Sequence, residues 1–192
     1  ASGADTLAGG DGNDTYYVDN VGDVVSETNA NLATGGSDEV YSYLAHYILP
    51  AHVEKGRIIS FGAANLTGNN LDNILYADIG DNVIAGDAGS DTLSWFYGVI
   101  GANGVSASLV TGTATGGSGA DNFAGIEHLT GSNNEDSLTG NDGANVLDGA
   151  DGDDFLKGGS GKDTLIGGSG ADQMVGGDGS DLYSVDNASD IV

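Results

Sequence analysis

A nine-residue repeat that runs without interruption from Gly131 to Ser184 constrains this sequence more than any other feature. Its six units read GSNNEDSLT, GNDGANVLD, GADGDDFLK, GGSGKDTLI, GGSGADQMV and GGDGSDLYS. Five of the six units carry Asp at the sixth position, and the eighth position is always Leu, Met or Tyr. Because glycine, acid and apolar residue keep one phase throughout, the pattern indicates a solenoid in which every unit repeats the same turn and strand.

Each unit divides into a turn and a strand. Glycines at positions one, two and four allow sharp turns through positive φ angles. Positions seven to nine form a short strand whose middle residue points inward, because side chains alternate across a strand. The Asp at position six is expected to end the turn and face outward. Two units complete one coil, so the predicted fold class is all-β, a right-handed parallel β-roll or β-solenoid.

Position six creates two ladders of acids, one along each edge of the roll. The ladders are Asp136, Asp154 and Asp172 on one edge, and Asn145, Asp163 and Asp181 on the other. Carboxylates stacked roughly 4.8 Å apart repel each other by about 1 kcal/mol per pair, even at the dielectric constant of water. Ca²⁺ between the coils removes this repulsion, since it accepts about six to eight carboxylate and carbonyl oxygens, whereas Mg²⁺ demands stricter geometry. A glycine-rich flexible linker is the alternative interpretation, but such a linker would not keep Gly, Asp and Leu at fixed positions of a nine-residue repeat.

The same phase recurs outside the regular block. A degenerate unit at 33–41 carries Asp38, and looser units place Asn73 and Asn82 at position six, where an uncharged oxygen predicts weaker binding. Turn glycines contribute carbonyl oxygens. The predicted metal ligands are Asp5, Asp14, Asp23, Asp91, Asp121, Asp136, Asn145, Asp154, Asp163, Asp172 and Asp181, with Gly10, Gly12, Gly159, Gly161, Gly168, Gly170, Gly177 and Gly179. Several Ca²⁺ ions are therefore predicted as the cofactor.

The charge of the chain narrows the possible partners. The 192 residues include 29 acids but only four Lys and Arg, which gives a formal net charge of −25. Nucleic acid and anionic membrane surfaces are excluded as charge-driven partners. No apolar run is long enough to span a membrane, and no N-terminal signal peptide is recognisable. Without cysteine, a metal rather than disulfides is expected to stabilise the fold, and the metal-free chain is expected to be largely disordered.

Changes in the pattern divide the chain into five segments. We expect β-roll repeats at 1–27, irregular β-solenoid coils at 28–67, degenerate repeats at 68–94, further irregular coils at 95–130, and a regular calcium-binding roll at 131–192. Within the irregular parts, strands are predicted over 41–49, 57–61 and 105–110. The stretch from Asp14 to Val25 returns 167 residues later, from Asp181 to Val192, which indicates a longer tandem array.

The motifs GGDGNDTYYVDNVGD, SYLAHYILPAHVE and GGSGKDTLIGGSGAD resemble repeats-in-toxin proteins, whose repeats are of the haemolysin type. The mixed arrangement is similar to the R-modules of mannuronan C5-epimerases and to secreted adhesins or surface-layer proteins. This resemblance implies type I secretion, export of the unfolded chain and folding on extracellular calcium. The implied function is that of a calcium-binding structural segment of a secreted bacterial protein.

No catalytic grouping is evident, so the chain is predicted not to be an enzyme. His46, His52 and His128 form no metal-protease pattern, and no nucleophile elbow occurs. Two alternatives remain for function, a polysaccharide-binding accessory module and a segment that associates with copies of itself. Trp95 could stack a sugar or fill an irregular coil, and we favour the structural role. Lys55 and Arg57 could contact an anionic polysaccharide, although a solvated loop is the favoured interpretation.

Overall fold

The computed structural model describes residues 3–29, 35–60, 62–99 and 101–192. Parts of the predicted 1–27, 28–67 and 95–130 segments, the start of the 33–41 unit and the end of the 57–61 strand lie outside these ranges. The described residues form twenty strands and no helix. The strands are β1 (Thr6–Ala8), β2 (Thr15–Val18), β3 (Val24–Ser26), β4 (Glu39–Ser42), β5 (His46–Ile48), β6 (Lys55–Ile58), β7 (Asn65–Thr67), β8 (Ile74–Tyr76), β9 (Val83–Ala85), β10 (Thr92–Ser94), β11 (Val105–Ser108), β12 (Thr113–Gly116), β13 (Gly119–Ala124), β14 (His128–Thr130), β15 (Ser137–Thr139), β16 (Val146–Asp148), β17 (Phe155–Gly161), β18 (Thr164–Ile166), β19 (Gln173–Gly179) and β20 (Leu182–Ser184).

Nearly all strands belong to two long sheets that face each other across the core. The first sheet has the order β2-β4-β6-β8-β10-β14-β16-β18-β20, and the second has the order β19-β17-β15-β11-β12-β13-β9-β7-β5. Strands β1 and β3 pair only with each other. Successive strands of the chain alternate between the two long sheets through most of the molecule, so the backbone winds as a solenoid. The predicted parallel β-roll is confirmed.

The regular block stacks with the predicted period. Leu138 pairs with Leu156 in the second sheet, and Leu147 pairs with Leu165 in the first, so that residues 18 apart lie side by side. Coils elsewhere have other lengths. Tyr16 pairs with Val40, and Leu93 pairs with Leu129 across an enlarged coil. The insertions are therefore accommodated within individual coils while the two sheets continue.

The core is a column of the eighth-position side chains. Leu138, Leu147, Leu156 and Leu165 have no exposed surface, and Met174 is almost as deeply buried. Alternation along each short strand places these residues inward and their neighbours at the surface. Burying apolar area at about 25 cal/mol per Å² makes this column the main apolar contribution to stability. The inward position of residue eight is confirmed.

The irregular coils differ in detail from the sequence-based prediction. The extended run predicted over 41–49 is two strands, β4 and β5, which belong to different sheets and are separated by a bend. The strand predicted over 105–110 is present as β11, but β12, which was not predicted, pairs antiparallel with both β11 and β13. In both places the chain lacks the nine-residue pattern, so the local sequence does not define where it reverses.

Candidate metal centre

The position-six acids of the regular block form two ladders held together by backbone hydrogen bonds. In the first ladder, the Asp136 N–H donates to Asp154 Oδ1 at 2.8 Å and the Asp154 N–H donates to Asp172 Oδ1 at 2.9 Å. In the second ladder, the Asn145 N–H donates to Asp163 Oδ1 at 2.9 Å and the Asp163 N–H to Asp181 Oδ1 at 3.0 Å. One carboxylate oxygen of each acid thus links its coil to the preceding one.

The ladder acids are buried, which corrects the expectation that position six faces outward. Asp154 is 2% exposed, and Asp163 and Asp172 have no exposed surface. The fifth position behaves differently, because Asp153 beside them is exposed. The turn folds the position-six side chain back against the neighbouring coil, where it reaches that coil's N–H group. Burial of so many acids requires compensation, since a desolvated carboxylate without a partner is costly.

The second oxygen of many of these acids has no protein partner. Among the described residues, the buried side-chain atoms without any hydrogen bond are all carboxylate oxygens. They belong to Asp14, Glu27, Asp38, Asp91, Asp154, Asp163 and Asp172. Most buried polar atoms in proteins find a hydrogen-bond partner. A set of buried carboxylate oxygens without such partners, here called orphaned oxygens, therefore indicates cation-binding sites.

Because glycine has no side chain, position one of a unit can lie in close contact with the orphaned oxygen of a ladder acid. A Cβ atom on Gly149 would overlap Asp154 Oδ2 and lie 2.6 Å from the carbonyl oxygen of Gly167, and a Cβ on Gly158 would meet Asp163 Oδ2 and the Gly176 carbonyl in the same way. These position-one glycines are absent from the set with positive φ angles, so the expectation that they turn through positive φ is wrong. They are required because the acid and a carbonyl oxygen approach them closely.

Eight glycines are predicted to supply carbonyl oxygens to the ions, and four of them, Gly159, Gly161, Gly177 and Gly179, lie within β17 and β19 rather than in turns. Positive φ angles occur at every one of them, for example 117° at Gly159 and 153° at Gly170. The complete set is Gly10, Gly12, Gly159, Gly161, Gly168, Gly170, Gly177 and Gly179. Their role as calcium ligands stays a prediction. Carboxylate and carbonyl oxygens are the ligands that Ca²⁺ prefers, so the donor set at the ladders fits this ion.

Several predicted ligands already have protein partners at both side-chain polar atoms. Asp121 accepts hydrogen bonds from the Trp95 indole N–H at 2.8 Å and from Asn82 at 3.0 Å. Asp136 accepts from Val105 and Ser132. The Asn145 side-chain amide donates to the Glu127 carbonyl at 2.8 Å, and its Oδ1 accepts the Asn141 N–H at 2.7 Å. Calcium ligation at these three residues stays a prediction.

Both carboxylate oxygens of Asp23 also accept backbone hydrogen bonds, and Asp190 has the same arrangement of hydrogen-bond donors. Asp23 accepts N–H groups from Asp5 at 3.0 Å and from Asn20 at 3.0 Å. Asp190 accepts from Asp172 at 3.1 Å and from Asn187 at 3.1 Å. These backbone hydrogen bonds lower the pKa of both carboxyls, with the bond from Asp5 the largest cause at Asp23 and the bond from Asp172 the largest at Asp190. The 167-residue repeat of the sequence is therefore also a repeat of local structure.

Burial raises the pKa of the acids in the first ladder, Asp136, Asp154 and Asp172. Desolvation is the main cause of a pKa of about 7 at Asp154, where the neighbouring Asp136 and Asp172 charges act in the same direction. Desolvation likewise raises the pKa of Asp91 and Asp172 above the ordinary value. A carboxylate whose charged form is disfavoured gains most from a nearby cation.

Sequence reasoning missed four acids that continue the ladders. The Asp38 N–H donates to Glu54 Oε2 at 2.9 Å, and the Asp91 N–H donates to Glu127 Oε2 at 2.9 Å, so glutamates take the aspartate position in irregular coils. Glu27 and Asp190 are the other two. Counting 18 residues from Asp172 would have found Asp190, whereas the glutamates stand outside the repeat pattern and gave no signal.

Two residues considered for sugar contact, Trp95 and Arg57, have their side chains engaged within the fold. Trp95 has no exposed surface and packs edge-on against Phe123, which confirms its structural role. Arg57 lies in β6 rather than in a solvated loop. It pairs with Glu39 at 3.0 Å and lies over the rings of three tyrosines, the nearest being Tyr97 at 3.8 Å. Its charge is thus neutralised within the first sheet.

A parallel β-solenoid with buried rows of acids along its turns defines a class of metal-binding repeat structures. The model of the RTX calcium-binding nonapeptide repeat matches this chain in four copies, at residues 1–25, 62–94, 122–156 and 148–183. The matches cover more than half of the sequence, so the chain belongs to this family and is a calcium-binding structural repeat protein. A search of curated proteins found no match. No segment of the described residues forms a helix able to cross a membrane.

Proposed function

We propose that Ca²⁺ ions bind between successive coils, each at an orphaned carboxylate oxygen beside a turn carbonyl. The observation that carries this proposal is the set of buried carboxylate oxygens without partners. Among the predicted ligands, that set contains Asp14, Asp91, Asp154, Asp163 and Asp172. For Asp5, Asp23, Asp121, Asp136, Asn145 and Asp181, calcium ligation stays a prediction from the repeat.

The ions supply the compensation that the protein itself lacks. Each ladder acid loses water on burial, and its like-charged neighbour in the next coil adds repulsion. A divalent cation bound by oxygens of two coils offsets both effects and joins those coils. We infer that calcium therefore determines whether the regular segment 131–192 folds, and that this segment binds calcium more tightly than the irregular segments 28–67 and 95–130.

We further propose that the chain is part of a secreted protein and folds after export. Family membership supports this, because RTX repeats are typical of secreted proteins. A chain with a net charge of −25 resists compaction when cations are scarce. Extracellular calcium would then act as the folding signal. The role of the chain is structural, and no substrate is proposed for it.

Isothermal titration calorimetry with Ca²⁺ and Mg²⁺ tests the binding proposal. Calcium is expected to bind at several sites with a large heat of coupled folding, and magnesium at equal concentration is expected to give little heat, because it dehydrates reluctantly. Equal binding of both ions would contradict a site built for flexible oxygen coordination. Absence of calcium binding would overturn the proposal as a whole.

A further inference from the structure

Three acids from separate parts of the N-terminal region converge on one point. Asp14 precedes β2, Glu27 follows β3 and Asp38 precedes β4. One oxygen atom of each lies within 4.8 Å of the other two. Across the described ranges 3–29, 35–60, 62–99 and 101–192, no second group of three or more potential metal-binding side chains meets this criterion. The regular ladders therefore do not produce such a cluster.

Each of the three clustered acids has a buried carboxylate oxygen with no protein partner. Glu27 is 7% exposed and Asp38 is 1% exposed. Glu27 Oε2, Asp14 Oδ2 and Asp38 Oδ2 make no hydrogen bond. A buried carboxylate oxygen without a donor is costly, so three neighbouring acids that each carry one indicate that a positively charged group belongs between them.

The remaining oxygens of Glu27 and Asp38 are fixed by the protein. Asp38 Oδ1 accepts the Asp14 N–H at 2.8 Å. Glu27 Oε1 accepts the Gly9 N–H at 3.2 Å, the Gly10 N–H at 3.4 Å and the hydroxyl of Tyr16. These bonds hold each side chain in one orientation, so the arrangement is preorganised before a ligand arrives.

No basic side chain is paired with the cluster. The ion pair resolved among the described side chains joins Arg57 to Glu39. The converging atoms are all carboxylate oxygens, which favours a hard cation with flexible coordination, and Ca²⁺ fits this requirement better than Mg²⁺.

We propose that Asp14, Glu27 and Asp38 bind a calcium ion that fastens the two-stranded β1–β3 sheet to the long sheet containing β2 and β4. Among the described strands, β1 and β3 pair only with each other. Glu27 directly follows β3, while Asp14 and Asp38 directly precede adjacent strands of the long sheet. The ion thus bridges the place where the spacing of stacked coils lengthens to 24 residues, from Asp14 to Asp38.

This site extends beyond the residues that the family model matches. Glu27 and Asp38 fall between the matched ranges 1–25 and 62–94, and Glu27 has no equivalent in the nine-residue pattern. The inference rests on the proposed function only in that the ion is the same Ca²⁺. Tyr16 acts as a positioning residue, since its hydroxyl donates to Glu27 Oε1 and orients that side chain.

Glu27→Gln and Glu135→Gln form a matched pair for the test. Both remove one charge, but Glu135 is exposed and stands outside the cluster. In calcium titration calorimetry of the full chain, Glu27→Gln is expected to weaken one site by at least about tenfold or to abolish it, because ligand charge determines affinity. Glu135→Gln is expected to match the parent chain. Equal curves for both variants would overturn this site while the ladder sites stand, and a parent chain without calcium binding would overturn both.

Terbium luminescence tests the same site without altering a ligand. Tb³⁺ occupies oxygen-rich calcium sites and emits when a nearby tyrosine is excited. Tyr16→Phe removes the hydroxyl that contacts Glu27, whereas Tyr43→Phe changes an exposed tyrosine that is 50% accessible. Tyr16→Phe is expected to lower the sensitised emission clearly more than Tyr43→Phe. Equal emission from the two variants would mean that no ion binds beside Tyr16.

Discussion

At the scale of single residues, the ladder aspartates combine two roles in one side chain. Asp154 Oδ1 accepts the N–H of Asp136 in the preceding coil, while its Oδ2 has no protein partner. At the same position in the other ladder, the Asn145 amide donates to the Glu127 carbonyl. An Asn at position six thus forms an internal hydrogen bond where Asp154 leaves an oxygen without a protein partner.

Asp154→Asn should weaken calcium-induced folding, whereas Asp153→Asn should leave it nearly unchanged. Both variants lose one charge, but only Asp154 is buried with an orphaned oxygen, since Asp153 is exposed. The calcium concentration at half-folding is expected to rise about tenfold for Asp154→Asn, which corresponds to about 1.4 kcal/mol. Calcium titrations followed by circular dichroism measure this shift. An equal shift in both variants would show that the buried oxygen is not a ligand.

The metal-free chain should gain structure as the pH falls. Burial raises the pKa of Asp154 to about 7 from its ordinary value of 3.8. Between these two values the folded chain binds more protons than the unfolded chain, so stability increases as pH decreases and is lost as pH rises through about 7. Relief of the general negative charge acts in the same direction.

Circular dichroism in excess chelator is the measurement for this pH effect. A stronger β signal is expected at about pH 5.5 than at about pH 7.5, in line with the protonation of buried acids. Asp154→Asn removes the group with the most clearly raised pKa and is expected to reduce the difference. Identical spectra at both pH values would contradict the burial of these carboxyls in the folded chain.

The nine-residue pattern identified the ladder residues but not their environment. Asp154 and Asp163 were recognisable because glycine, acid and leucine recur in one phase. Their burial was not recognisable, since it depends on how closely successive coils approach. Glu27 and Glu54 could not be found in this way, because neither glutamate occupies the sixth position of a nine-residue unit.

At the scale of structural elements, the glycine at position one allows the turn to contact the ladder carboxylate closely. Gly158→Ala would place a Cβ against Asp163 Oδ2 and the Gly176 carbonyl, whereas Gly62→Ala would meet no atom within 4 Å. We expect Gly158→Ala to destabilise the calcium-loaded chain by about 1–3 kcal/mol, as overpacking does, and Gly62→Ala to be near neutral. Urea denaturation in calcium measures both, and equal stabilities would contradict the close approach.

The strand core should accept a change of shape but not of charge. Leu165 has no exposed surface and pairs with Leu147 and Tyr183 in adjacent strands. Leu165→Asp would bury a carboxylate at a cost of several kcal/mol, so this variant is expected to stay unfolded at a calcium concentration that folds the parent chain. Leu165→Met is expected to cost less than about 1.5 kcal/mol. Near-identical folding of the two variants, followed by circular dichroism, would disprove the inward position.

Regular elements could be predicted from sequence because each strand is specified locally by its own nonapeptide. The hairpins around β12 could not, since their antiparallel pairing depends on where an irregular chain finds a partner. The separation of β4 from β5 has the same origin. Their apolar and aromatic residues follow one another closely, and only the stacking of coils assigns them to different sheets.

At the scale of the whole molecule, the stacking of coils brings acids together, and the stability of the stack depends on how their charge is neutralised. The solenoid keeps its two sheets through coils of different lengths, and wherever acids of adjacent coils meet, buried charge accumulates. A net charge of −25 with four basic residues cannot be balanced internally. We therefore expect cations to supply the balance and to link the stability of the entire fold to the calcium concentration.

Far-UV circular dichroism of the full chain during a calcium titration tests this link most directly. In excess chelator near neutral pH, the spectrum is expected to be that of a disordered chain, because like charges oppose compaction and the ladder oxygens lack partners. Addition of Ca²⁺ is expected to produce a β spectrum cooperatively, and the same concentration of Mg²⁺ is expected to produce little change. A chelated chain that retains the full β spectrum near neutral pH would contradict calcium-dependent folding.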